Sequence, residues 1–239
     1  MDMDFVWNGV AASSLGVCVT ELPPVQASAK RDEQYQVPYR DGILHVQDGT
    51  RDELIKRVGC YLPYEQGVTV EALREIFAWL QGKGVVSFSD DPGRQYEARI
   101  ISAIDYRQWV TGFEDREFEV YFECDPRAFF TEAEDVEVTE SGAVIVNPGA
   151  AEARPKLVVQ GAGSVDLMIS GQPFKLDGLG GDNPGEVTVD CEMMEATWLD
   201  GTSANHIMSG DFPRLKPGQN MVSWVGSVTK VTITPRWCD

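Results

Sequence analysis

The sequence predicts a mainly β protein in two parts, an α+β N-terminal domain with one helix and a C-terminal β-sandwich. Three observations predict it. Apolar and polar residues alternate over short segments along much of the 239-residue chain, which is the two-residue period of half-buried strands. One stretch, from about Val70 to Gln81, changes instead to helical spacing. Beyond about residue 150, only short strand-like segments recur, separated by Gly and Pro turns, as in a sandwich. The expected division is an N-terminal domain over residues 1–130, a connector over 131–150 and a C-terminal domain over 151–239.

At the N-terminus Met3, Phe5 and Trp7 alternate, Asn8-Gly9 supplies turn chemistry, and Leu15, Val17 and Val19 alternate again. This reads as strand, turn, strand. Leu22-Pro23-Pro24 ends the pairing, and the polar run through Lys30, Arg31, Asp32 and Glu33 reads as an exposed arm or loop. Strands are expected around Ile43–Val46 and Glu53–Tyr61. The helix has Thr69 as N-cap and Glu71 in its first turn. Its stripe of Val70, Leu73, Ile76, Phe77 and Leu80 predicts a core contact against a sheet, and Gly82 with Gly84 is expected to stop it. Strands follow around Val85–Phe88, Tyr96–Ile104 and Phe113–Glu123, with Asp90-Asp91-Pro92-Gly93 as the turn between the first two. In the last, Phe118, Val120 and Phe122 alternate with Glu117, Glu119, Tyr121 and Glu123, so one face is buried and the other wet. Asp125-Pro126 closes the domain.

The connector carries five acids between Glu132 and Glu140, then Asn147-Pro148-Gly149. After it, strands are expected at Lys156–Gln160, Val165–Ile169, Gln172–Leu176, Glu186–Cys191, Glu195–Leu199, Asn220–Val225 and Val228–Thr234. No repeat with a period of 20 to 50 residues is present, which excludes a solenoid or propeller.

Charge narrows the function classes. The chain has 20 basic and 38 acidic residues, a net charge of −18. Up to Phe129 there are 13 basic and 22 acidic residues, and beyond it 7 and 16, so each half carries −9. No basic module hides behind the average, which argues against binding to nucleic acid or anionic membrane. No apolar run approaches the ~18 residues of a membrane span, and Met1-Asp2-Met3-Asp4 lacks the pattern of a secretory signal. Synthesis in the cytoplasm, without export by that route, is expected. Cys18, Cys60, Cys124, Cys191 and Cys238 are widely spread without a Cys-x-x-Cys pair, which suits buried thiols better than a zinc site or a disulfide framework.

Chemistry is sparse. His45, in an apparent strand, and His206, in a loop, are the two imidazoles, and neither lies in a metal or nucleophile motif. Gly178, Gly180 and Gly181 before Asp182 lack the lysine and helix of a phosphate cradle, so a hairpin loop is the plain reading. Asp177, Asp182 and Glu186 could offer oxygen ligands to calcium, but without the alternating spacing of a calcium loop. No catalytic, cofactor-binding or metal-binding residue is assigned, no cofactor is expected, and the chain is not read as an enzyme. Trp198, Trp224 and Trp237 on a sandwich suggest an alternative, a carbohydrate-binding module, although buried aromatics account for them more simply.

Several segments, read in order, resemble the distal tail protein family of siphoviruses. They are Val37-Pro38-Tyr39-Arg40-Asp41-Gly42, Ala78-Trp79-Leu80-Gln81-Gly82-Lys83-Gly84, Ser89-Asp90-Asp91-Pro92-Gly93 with Tyr96 and Ala98, and Phe118 to Pro126. Asn147-Pro148-Gly149 with Ala153 and Pro155 follows, then Val187–Glu192 around Asp190. Gly210-Asp211-Phe212-Pro213 with Leu215, Pro217-Gly218 and Asn220 comes next, and Ile233–Trp237 ends the series. The resemblance spans nearly the whole chain. Tyr39 departs from it, standing where the family pattern usually has Gly, a residue suited to positive φ.

The resemblance implies a virion structural protein of the phage tail tip, assembled in the host cytoplasm. Its N-terminal domain would form a homo-hexameric ring, and its C-terminal domain would be galectin-like. The implied partners are the tail tube protein, the tail-associated tip or hub protein and the tape measure protein. DNA would pass through without specific binding, helped by an electronegative channel, and no membrane contact is implied. The stretch from Leu22 to Gln36 is the candidate inter-subunit element, with an ordinary loop as the alternative.

Overall fold

The computed structural model describes residues 3–63, 69–102 and 116–239. It divides into two compact units, Met1–Ala128 and Phe129–Asp239, each with its own hydrophobic cluster. Both are built mainly from antiparallel strands. Among the described residues no helix is long and apolar enough to cross a membrane.

The first unit opens with β1 (Phe5–Trp7), β2 (Val10–Ala11) and β3 (Cys18–Glu21), followed by a separate hairpin of β4 (Lys30–Tyr35) and β5 (Leu44–Arg51). Then come β6 (Leu54–Leu62), α1 (Val70–Trp79), β7 (Lys83–Phe88), β8 (Arg94–Ile100) and β9 (Arg116–Cys124). Apart from the hairpin, these strands make one sheet in the order β2-β1-β7-β8-β9-β6-β3. Alternation positions its core. β6 turns Leu54, Val58, Cys60 and Leu62 inward, and β9 does the same with Phe118, Val120, Phe122 and Cys124. Val58 lies opposite Val120 and Cys60 opposite Phe118. Lys56 shares that inward face and is 3% exposed. Its Nζ lies 4.5 Å from the centroid of Tyr96 and 5.7 Å from that of Phe88, and burial pulls its pKa below the usual lysine range.

The helix forms where its spacing predicts. The Thr69 hydroxyl accepts the Ala72 N–H at 3.2 Å as the N-cap, and Leu73, Ile76, Phe77 and Leu80 pack on the core. Its last turn is tied to β1. Trp7 Nε1 donates to the Trp79 carbonyl at 3.0 Å, Trp79 Nε1 donates to the Trp7 carbonyl at 3.2 Å, and Phe5 stacks on Trp79 with ring centroids 5.5 Å apart. Leu80 caps the helix and Gly82 follows with φ +81°. Gly84, expected to help stop it, lies inside β7 instead, where a Cβ would sit 1.7 Å from Asn8 Oδ1.

Two N-terminal expectations change. Asn8 and Gly9 take positive φ, 50° and 80°, and turn β1 into the short β2. Ala12–Leu15 then coil into a 3-10 turn, closed by Gly16 at φ 74°. Leu15 is therefore outside any strand, and β3 pairs with β6 rather than with β1. The polar run from Lys30, expected as an exposed arm or loop, is exposed as expected but forms a strand, with a register shift between Lys30 and Asp32. The expected strands Tyr96–Ile104 and Phe113–Glu123 extend into residues 103–115, outside the described residues.

The second unit contains β10 (Phe129–Phe130), β11 (Val136–Val138), β12 (Ala143–Asn147), β13 (Lys156–Ile169) and β14 (Gln172–Leu179). β15 (Glu186–Asp190), β16 (Glu195–Trp198), β17 (Met208–Gly210) and β18 (Gly218–Thr234) complete it. The long strands β13 and β18 pair along nearly their whole length, with register shifts around Gly161 and between Ala162 and Asp166. Before the shift, β13 also carries β15 and then β16, while the facing end of β18 carries β11. After it, β13 carries β14 and then β17, while β18 carries β12. One sheet thus supplies both layers of a sandwich. Leu157 and Val159 from the first half share a core with Leu167 and Ile169 from the second.

The sequence predicts four short strands where β13 and β18 run, because glycines interrupt both patterns. The glycines mark a bend instead of an end. A Cβ on Gly161 would lie 2.4 Å from the Ser227 carbonyl oxygen, and one on Gly226 would lie 2.5 Å from that of Ser164. The two backbones can cross this closely only without side chains. The stretch read as a connector contributes β11 and β12, both hydrogen-bonded to β18.

Candidate functional site

The residues of the ordered motifs in the second unit occupy structural nodes. Asn147 is 2% exposed; its Nδ2 donates to the carbonyls of Ala151 and Leu215 at 3.0 and 3.1 Å, and its Oδ1 accepts the Gly149 N–H at 2.8 Å. Asn220, also buried, donates to the Lys216 and Gly218 carbonyls at 2.8 Å and accepts the Lys216 N–H at 2.8 Å. Ala153 and Leu215 exchange backbone hydrogen bonds at 2.9 Å. Asp190 takes a two-pronged contact from Arg236, both bonds 2.7 Å, and accepts the Glu192 and Met193 N–H groups. The guanidinium fork holds the Asp190 carboxyl down at about 2.

Chemistry-bearing side chains are scattered. His45 Nδ1 lies 2.7 Å from Asp32 Oδ2 on the exposed hairpin, and His206 packs edge-on to Trp198. Gly178 is the last residue but one of β14, and Gly180 and Gly181 lie in the loop to β15, closed by bonds between Gly180 and Pro184 and between Asn183 and Gly180. Asp177 pairs with Lys175 at 3.1 Å, and Glu186 accepts from Gln160 Nε2. These two candidate calcium ligands are thus engaged with different partners. Among the described residues no three His, Cys, Asp or Glu side chains cluster as a metal site. Cys60, Cys124 and Cys191 are buried thiols pushed up to about 12 by desolvation, which keeps them protonated at neutral pH.

The tryptophans do not form a platform. Trp198 and Trp237 are each 7% exposed and belong to the core of the second unit. Trp224 is half-buried against that core and borders a groove of about 460 Å³ lined by Met168, Pro173, Lys175, Ser209 and Val225.

What stands apart is the β4–β5 hairpin. Among the described residues its strands pair only with each other, and every residue of β4 is exposed. Its base is held by the Asp52 N–H on the Ala29 carbonyl at 3.0 Å and by Arg31 on Asp52 at 3.1 Å. Glu33 faces Val46 and Tyr35 faces Leu44 on one side, while Asp32 faces Gln47 and Gln34 faces His45 on the other. The first side is apolar apart from Glu33, which accepts the Tyr35 hydroxyl. At the tip, Val37-Pro38-Tyr39-Arg40 closes through the Arg40 N–H on the Val37 carbonyl at 3.3 Å. Pro38 precedes Tyr39 at φ +62°, the arrangement of a type II turn, whose third position favours Gly. The family pattern of glycine at this position therefore has a backbone cause, and Tyr39 keeps the turn in spite of its side chain.

No family model matches the chain, and no curated protein matches it. Among solved structures, the chain is similar to the SPP1 Dit protein, described as a paradigm of the hub adsorption apparatus in phages that infect Gram-positive bacteria. The similarity covers 98% of this chain and 98% of that one, with a TM-score of 0.75 at 17% sequence identity. The two chains share a fold over their full length.

Proposed function

We propose that the chain is a structural distal tail protein of a long-tailed phage. Six copies form a ring that joins the tail tube to the tail-tip proteins and leaves a channel for DNA. The observation that carries this reading is the end-to-end fold similarity to a phage hub protein. The role at the motif nodes supports it: Asn147, Ala153, Asp190, Leu215 and Asn220 hold the fold together rather than address a ligand. A hub needs surfaces and no active site. Its contacts would be the tube protein, the tail-associated tip protein and the tape measure protein, and it would reside in the virion after assembly in the host cytoplasm.

The acidic balance supports a passage for DNA. β9 presents Glu117, Glu119 and Glu123 on its wet side, and β8 presents Glu97, so this sheet face would repel phosphates where it met them. Arg57 and Arg99 offset part of that charge. The test is sedimentation velocity of the purified chain, alone and with its tube and tip proteins. A particle six times the 26.4 kDa chain supports the reading; a monomer under every condition overturns it.

A further inference from the structure

Five glycines of the chain follow an Asn or an Asp, in the pairs Asn8-Gly9, Asp41-Gly42, Asp48-Gly49, Asp177-Gly178 and Asp200-Gly201. In such a pair the glycine nitrogen can attack the side-chain carbonyl carbon, because no Cβ stands in the way and the backbone turns freely. The attack requires a side chain and a glycine N–H that have no hydrogen bonds to give up. Chemistry alone ranks Asn8 first, since a neutral amide is a better electrophile than an ionised carboxylate. The fold reverses that order. Asn8 Oδ1 accepts the Val85 N–H at 2.9 Å, its own N–H donates to the Val85 carbonyl at 2.9 Å, and its amide fills the space beside Gly84. Asp177 is paired with Lys175 at 3.1 Å. Asp200 accepts both the Thr202 N–H and the Thr202 hydroxyl, and the Gly201 N–H is given to the Trp198 carbonyl. Asp48-Gly49 lies inside β5.

Asp41 and Gly42 differ from these. Both are exposed at the tip of the hairpin, between its strands. Among the described residues neither the Asp41 carboxylate nor the Gly42 N–H has a hydrogen bond or ion pair. Gly42 takes φ +87°, with open space where a Cβ would stand. We infer that the Asp41-Gly42 pair is a self-modification site, at which the folded chain converts aspartate to isoaspartate. The Gly42 nitrogen bonds to Asp41 Cγ, a Cγ–O bond breaks, and the oxygen leaves as water with the amide proton and the carboxyl proton. Water then opens the cyclic imide. Opening at the former main-chain carbonyl leaves the chain running through the Asp41 side chain, one methylene longer, with a carboxylate on the shorter branch. Only water leaves and returns, so the net mass is unchanged. The lengthened segment is the one that joins Tyr35 to Leu44, the pair nearest the tip. The site stands whether or not the chain forms a ring.

The experiment holds the full chain for weeks at neutral pH and physiological temperature, one sample native and one in urea. Isoaspartate is located by peptide mapping with electron-transfer fragmentation and counted by isoaspartyl methyltransferase labelling. In the native sample, conversion at position 41 should exceed that at each of the other four positions by at least tenfold, whereas in urea position 8 should lead. Asp41→Glu keeps the charge but closes a ring far less readily, and it should remove most of the native label, with circular dichroism as the check on folding. Native conversion led by another position, or equal at all five, overturns the inference. So does a native chain without isoaspartate at position 41 once the urea sample has converted, or undiminished native label in Asp41→Glu.

Discussion

At the scale of single residues, the Asp190–Arg236 contact makes a measurable claim about pH. The folded chain holds Asp190 at about 2, against an ordinary value of 3.8. Between those values the unfolded chain binds the proton more readily than the folded one, so the contact stabilises above about pH 4 and its contribution fades as pH falls toward 2. The shift corresponds to about 2 kcal/mol. Asp190→Asn should lower stability to denaturant by roughly that amount at pH 7 and by much less near pH 2. An equal loss at both values would show that the charge is not what matters. Tyr39 runs the other way, because replacing it should help the isolated chain. Removing its Cβ from left-handed backbone is expected to strengthen the hairpin by about 1 kcal/mol, read as slower amide exchange across β4 and β5 in the monomer. Nothing in the local sequence shows this. Pro38 indicates a turn, but the positive φ at Tyr39 becomes legible only against the glycine of the family pattern.

At the scale of elements, legibility followed burial. The helix was readable because one stripe is buried, and β9 because Phe118, Val120 and Phe122 face a core while their neighbours face water. The β4 strand was not, since all its residues are exposed and the alternation that marks a strand requires one dry face. β13 and β18 were each read as two strands because glycine signals a turn from sequence alone, and only the facing strand reveals a crossing at Gly161 and Gly226. β17 has three residues and offers too short a pattern. The hairpin was half visible: the polar run pointed to an exposed arm, but its apolar side came from β5 and from a pairing that separation in sequence hides. The joint between α1 and β1 carries its own prediction. Trp79→Phe keeps much of the ring stacking on Phe5 but removes the bond to the Trp7 carbonyl. It should destabilise the first unit by about 1–3 kcal/mol, the cost of leaving a partly buried acceptor unmade. Chemical denaturation followed by tryptophan fluorescence would show it, and an unchanged midpoint would mean that the reciprocal bonds add little.

At the scale of the whole molecule, charge and assembly belong to one account. A ring built from chains of net charge −18 concentrates negative charge and needs local contacts to close against it. Assembly should therefore strengthen as salt rises from about 0.01 to 0.15 M, over which the screening length falls from about 30 to 8 Å. The same charge predicts that the chain, assembled or not, fails to retain duplex DNA in a gel-shift assay even at low salt; retention that weakens steeply with salt would reveal a basic surface that the sequence does not suggest. The central claim is that this chain is a ring-forming hub, and electron microscopy of the purified wild-type protein with its tube and tip partners tests it most directly. The account predicts closed six-fold rings with an open centre, whereas averaged images showing only single chains or particles without a central opening would contradict it.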